Sequence, residues 1–214
     1  SEFEAMPPYD LVSIYHISGR NQEASQNRAI FKKCRPLTGT ETTKYELDKG
    51  DYVHNLPTRL AGMWKTRFTG DLQKQTEIFT GTSFGEYSLL LETLKEVSQM
   101  NDFDFGENYK YRNLVIVSDM VQNSIGSGGI SLQNKCGVKW PSWEKFKNDK
   151  KTKNLINFLI PDFGDTSSLS VTIYYLSGNC DTGLNSGVQE FWNGYFSDAG
   201  IENVKWIPET IQAQ

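Results

Sequence analysis

The chain has 214 residues, of which 37% are hydrophobic, 13% aromatic and 22% charged. That is enough apolar surface for one well-buried core and short for two. Its net charge of −4 and pI near 5.3 argue against non-specific DNA or membrane-surface binding. No apolar run approaches the ~18 residues of a membrane span, and "SEFEAMPPYD" has neither the basic nor the apolar block of a signal peptide.

In chain order, "YDLVSIYHIS" (9–18) reads as a strand, rich in β-branched and aromatic residues after the breaker Pro7-Pro8. Residues 19–55 read as a long polar loop with little regular structure. Leu56, Leu60, Met63, Trp64, Phe68 and Leu72 recur at helical spacing, with Asn55 as a cap. A second helix is expected over 84–99, with Tyr87, Leu90, Leu91, Leu94 and Val97 on one side. "RNLVIVSDM" (112–120) has four consecutive apolar residues, the mark of a central parallel strand buried on both faces. "SWEKFKNDKKTKNLINFLI" (142–160) reads as one or two helices and "SLSVTIYYLSG" (168–178) as another buried strand. "GVQEFWNGYFSDAG" (187–200) is an amphipathic helix stopped by Gly200, and "ENVKWIPE" (202–209) is a closing strand. Strands and helices in alternation predict an α/β fold with a doubly wound, mainly parallel sheet flanked by helices. Ligands of such sheets sit at the C-terminal ends of the strands.

Cys34, Cys136 and Cys180 are far apart, and only two histidines, His16 and His54, are present, which argues against a structural zinc site. Three unpaired thiols in a reducing compartment, the cytoplasm being favoured, fit this spacing at least as well as one disulfide plus a free thiol. The basic neighbours of Cys34 in "KKCRP" would lower its pKa, although a plain loop thiol is the simpler reading.

"GTSFG" (81–85) fits the pattern of a hydrolase nucleophile elbow. That reading requires an acid and then a histidine downstream. Asp119 could be the acid, but both histidines precede Ser83, so the expected order fails. Ser83-Phe84-Gly85-Glu86 is also S-x-x-E, a capping box ahead of the apolar run at Tyr87, contributing about 1 kcal/mol to the helix start. A third reading pairs the Ser83 hydroxyl with Asp119, at the C-terminal end of the 112–118 strand. Oxygen ligands of this kind suit Mg²⁺. The plain alternative for Asp119 is a turn residue after a strand.

Four segments, "FKKCRPLTG", "TSFGEYSLLLETL", "NLVIVSDMVQNS" and "FWNGYFSDAGI", lie in an order that resembles the von Willebrand factor A-like domains, a Rossmann-like family, and within them a bacterial group. The resemblance spans about residues 9–207 and implies a single domain over 1–214. It also implies a divalent-cation site, for Mg²⁺ or Mn²⁺, in which Ser83 or Thr82 supplies the loop hydroxyl and Asp119 the later carboxylate. Ser118 and Asn123 flank Asp119. The family's D-x-S-x-S motif occurs nowhere in this sequence. "SEFEAMPP" is similar to the end of the family's first helix, so the first, central strand is expected to come from a segment absent from this chain or from another polypeptide.

The remaining features read plainly. "NDFDFGEN" (101–108) fails the EF-hand spacing and reads as a solvated loop. "EKFKNDKKTKN" (144–154), Lys-rich but interrupted by acids, reads as a solvated face rather than a nucleic-acid patch. Phe191, Trp192, Tyr195 and Phe196 read as core, and "GSGGI" (126–130) as a flexible loop beside Asp119. The function expected is a protein-interaction module, not an enzyme, taking a partner's carboxylate on a bound cation. The alternatives are a Ser83- or Cys34-dependent hydrolase and a metal-free structural domain.

Overall fold

A computed structural model describes residues 10–15, 31–36, 56–74, 88–100, 111–124, 130–132, 139–177 and 185–210. They fall in two compact units, with 10–15, 31–36 and 56–74 in one and the described residues from 88 to 210 in the other.

In the first unit, strand β1 (Leu11–Ile14) pairs antiparallel with β2 (Phe31–Cys34), with Leu11 opposite Cys34 and Ile14 opposite Phe31. β2 lies inside the segment expected to be a loop. It carries only one buried side chain, Phe31, so no apolar alternation announces it. The third element, α1 (residues 56–74), matches the helical spacing of its apolar residues. It is α-helical over Leu56–Gly62, π-helical over Met63–Thr69 and α-helical again over 70–74. Phe68 and Leu72 from α1 join Val12 and Phe31 in a small core. The Phe31 ring meets Phe68 edge-on at 5.5 Å, and Trp64 stacks on Phe68 at 5.2 Å. The Arg35 guanidinium lies over Trp64 at 4.8 Å, a cation held on an aromatic face rather than in water. Lys33 ion-pairs with Asp71, and that hydrogen bond holds the Asp71 carboxyl below its ordinary value.

The second unit is built on a three-stranded parallel sheet of β3 (Arg112–Ser118), β6 (Leu169–Ser177) and β7 (Val204–Thr210), in that spatial order. Helix α2 (Leu90–Ser98) precedes β3, α3 (Trp143–Lys147) and α4 (Lys153–Leu159) lie between β3 and β6, and α5 (Ser186–Asp198) joins β6 to β7. A two-rung hairpin of β4 (Gln122–Asn123) and β5 (Ser131–Leu132) follows β3. The parallel pairing, with helices in the crossovers, is the α/β arrangement expected from the alternation of elements.

Register places Leu114, Ile116 and Ser118 beside Val171, Ile173 and Tyr175 on one face of the sheet. The helices cover this face. Phe191, Trp192, Tyr195 and Phe196 of α5 are fully buried with Ile173 and Tyr175, as their spacing predicted. Each such side chain contributes ~1.5–3 kcal/mol on leaving water. Tight contact is made possible at Gly194, where a Cβ would lie 2.6 Å from the Trp143 Cβ, so α3 can rest directly on α5. Trp143 Nε1 donates to Asp198 (2.8 Å), which also accepts from Lys147 (2.9 Å). Burial alone would raise the Asp198 carboxyl, but the hydrogen bonds from Lys147 and Trp143 overcome it and hold the group below its usual range. Asn185 caps α5 by accepting from Gly187 and Val188 N–H. The helix ends where expected. Gly200 has φ +77°, and Ile201 N–H donates to Phe196 C=O at 2.8 Å, a closure that needs the left-handed residue.

The opposite face of the sheet differs from expectation. β3 is not buried on both sides: Val115 is 46% exposed and Val117 64%, and Tyr111, just before the strand, is exposed as well. They share that face with Thr172, Tyr174 and Leu176 of β6 and Lys205 and Ile207 of β7, none of them buried. Nor is β3 central among the described residues, where it forms one edge of the sheet. Arg112 N–H donates to Ser168 C=O (3.1 Å), so by alternation the N–H and C=O groups of Asn113, Val115 and Val117 point away from β6.

Candidate functional site

The end of β3 lies at the sheet's C-terminal edge, where ligands of parallel sheets bind. Ser118, Asp119 and Met120 make a tight turn there. Ser118 Oγ accepts from Met120 N–H (2.9 Å) and Asp119 Oδ1 accepts from Val121 N–H (3.1 Å). Two side-chain oxygens thus terminate the strand, each mimicking a backbone turn. Asp119 is exposed, so its carboxylate reaches solvent from the rim. Met120 is fully buried with φ 58°, a left-handed conformation that a non-glycine residue adopts at a cost of order 1–3 kcal/mol. It is held by the Ser118 hydroxyl on its N–H and by Trp192 Nε1, which donates to its C=O at 2.9 Å. The turn that aims Asp119 is therefore fastened to the middle of α5.

Behind it, the wholly buried Gln122 ties the hairpin to α2. Its Oε1 accepts from Leu91 N–H (2.9 Å) and its Nε2 donates to Glu92 (2.8 Å). Ser88 and Asn123 exchange two backbone hydrogen bonds, at 3.0 and 2.7 Å. These contacts correct the helix expected over 84–99. Residue 88 belongs to a β-bridge and the helix starts at Leu90, while the capping box expected at 83–86 lies outside the described residues. The side chain of Leu89 offers no cap, and a glutamine 31 residues away satisfies the first turn instead. Nothing local announces Gln122; the only sign is a helix start with no capping side chain next to it. Beneath the site, Tyr195 OH donates to Leu159 C=O (3.0 Å), and burial, with the Glu92 charge adding, pushes its phenol well above the ordinary value.

Of the three expected cation ligands, Asp119 stands at the edge in its turn. Ser83 and Thr82 lie outside the described residues, as do His16, His54, Cys136, Cys180 and the loop at 126–129. Among the described residues no group of three or more His, Cys, Asp or Glu side chains gathers that could hold a metal ion. Cys34 is an exposed free thiol at the end of β2. Among the described residues no helix is long and apolar enough to cross a membrane. No protein-family model, no curated protein and no solved structure matches the chain.

Proposed function

We propose that the chain is a protein-binding module of the von Willebrand A-like kind, whose sheet accepts an extended partner segment along β3. The observation that carries this reading is the outer side of β3. Its outward N–H and C=O groups meet no strand among the described residues, and Val115 and Val117 stand exposed beside them. Parallel sheets are ordinarily covered on both faces, and a long apolar edge invites pairing. A partner strand with apolar residues at every second position would extend the ladder and cover the valines at once. On the same reading the three strands are one side of a doubly wound sheet, and the incoming strand takes the position next to β3.

The cation belongs to this proposal as its finer part. Asp119 would hold Mg²⁺ or Mn²⁺ with Ser83 or Thr82, leaving one coordination position for a partner's carboxylate. The turn at Ser118–Met120 would fix the carboxylate's direction. Isothermal titration of the full chain with Mg²⁺ and Mn²⁺ tests this part. Saturable heat in the wild type that Asp119→Ala abolishes supports it. No heat in the wild type removes the cation and leaves strand addition alone.

A further inference from the structure

The Lys-rich stretch between β3 and β6 carries a feature that its charge pattern alone does not explain. α4 buries Ile156 completely, while on its outer side Phe158 is 77% exposed and Leu155 39%. An aromatic ring so exposed on a seven-residue helix gains nothing from the core. Lys150, Lys151 and Lys153, at the turn and start of α4, are all exposed, and so is Lys145 on α3. The acids in the stretch are partly engaged. Glu144 ion-pairs with Lys147 at 2.6 Å, and Asp149 Oδ1 accepts from Lys151 N–H at 2.8 Å. The turn between α3 and α4 is pinned, since Lys153 N–H donates to Asp149 C=O and Thr152 Oγ1 to Phe146 C=O. The lysines at the start of α4 and the apolar pair along it are thus presented by a rigid corner.

We propose that this corner docks on an anionic lipid surface, with Phe158 and Leu155 entering the interface and the lysines facing the headgroups. Charge complementarity selects the occupant, because flexible lysine stems let the ammonium groups stay with phosphates while the apolar pair sinks. The exposed side chains decide against the other candidates. A single-stranded nucleic acid is held in a groove with several stacking rings, and an aliphatic Leu155 gives it nothing. A protein partner needs a broad complementary face, whereas α4 offers two exposed apolar side chains. A lipid surface takes a basic, sparsely apolar corner without any pocket. The chain's net negative charge does not oppose this, since charges more than about 10 Å away are screened at physiological salt.

Co-sedimentation of the full chain with phosphatidylcholine vesicles, with and without phosphatidylserine, tests the proposal. The expected result is binding to the serine-containing vesicles only, falling steeply as salt is added. Phe158→Ser should weaken it roughly tenfold and Lys150→Glu/Lys151→Glu about a hundredfold. Both sites are exposed, so the melting temperatures of the variants should match the wild type, separating lost docking from lost folding. No binding of the wild type to serine-containing vesicles overturns the proposal. So does unchanged binding by Phe158→Ser, or retention on a single-stranded oligonucleotide in place of vesicles.

Discussion

The two faces of the parallel sheet are made from the same three strands, yet they differ in almost every physical respect. On the covered face, Ile116, Ile173 and Tyr175 pack against α5, and polar groups are satisfied by specific partners such as Trp192 to Met120 and Trp206 to Asn193. On the open face, Val115 and Val117 meet water beside Thr172 and Tyr174, and Asn113 Oδ1 accepts from the hydroxyls of Ser170 and Thr172. One face is a finished core. The other is β-branched and aromatic with no layer over it among the described residues, a surface suited to a further element.

Substitutions that separate the faces should rank accordingly. Trp192→Ala removes a fully buried tryptophan and also the donor to the strained Met120 carbonyl, and is expected to cost about 4 kcal/mol in denaturant unfolding. Gly194→Ala drives a methyl into Trp143, and a loss of roughly 1–3 kcal/mol should appear in the same measurement. Asp198→Asn should cost only ~1 kcal/mol at neutral pH, because Asp198 and Lys147 remain partly solvated. Its pH dependence is the sharper readout. The folded-state Asp198 carboxyl sits below its unfolded value of about 3.9, so its stabilisation is present above that pH and fades as pH falls through the folded-state value. The wild-type and Asn curves should therefore converge in acid. Smallest of all, Val117→Thr on the open face should change stability by less than about 0.5 kcal/mol while weakening any partner that uses the β3 edge. A core-sized loss at Val117 would mean that the two faces are not distinct.

How far the sequence speaks follows the same division. α5 was legible in its apolar spacing and its Gly200 stop, which are local, although its Asn185 cap lies before the expected span of 187–200. The strands β3, β6 and β7 were legible as strands. "LVIV", however, does not distinguish a strand already covered on both faces from one still open on one, since both require the same residues. β2 was hidden because three of its four residues, Lys32, Lys33 and Cys34, are polar or exposed. The start of α2 was misplaced because its cap comes from Gln122, and long-range capping leaves no pattern in nearby residues. At the candidate site, the turn role of Asp119 could be read from its position after a strand. Its fastening through Met120 to Trp192 could not, because it joins residues 72 apart.

The most direct measurement is residue-resolved amide hydrogen exchange along β3 in the isolated chain. If the outer edge of β3 is open, the amides of Asn113, Val115 and Val117 exchange much faster than those of Leu114 and Ile116, whose N–H groups face β6. Equal protection of both sets would contradict an open edge, and with it the proposed strand-binding function.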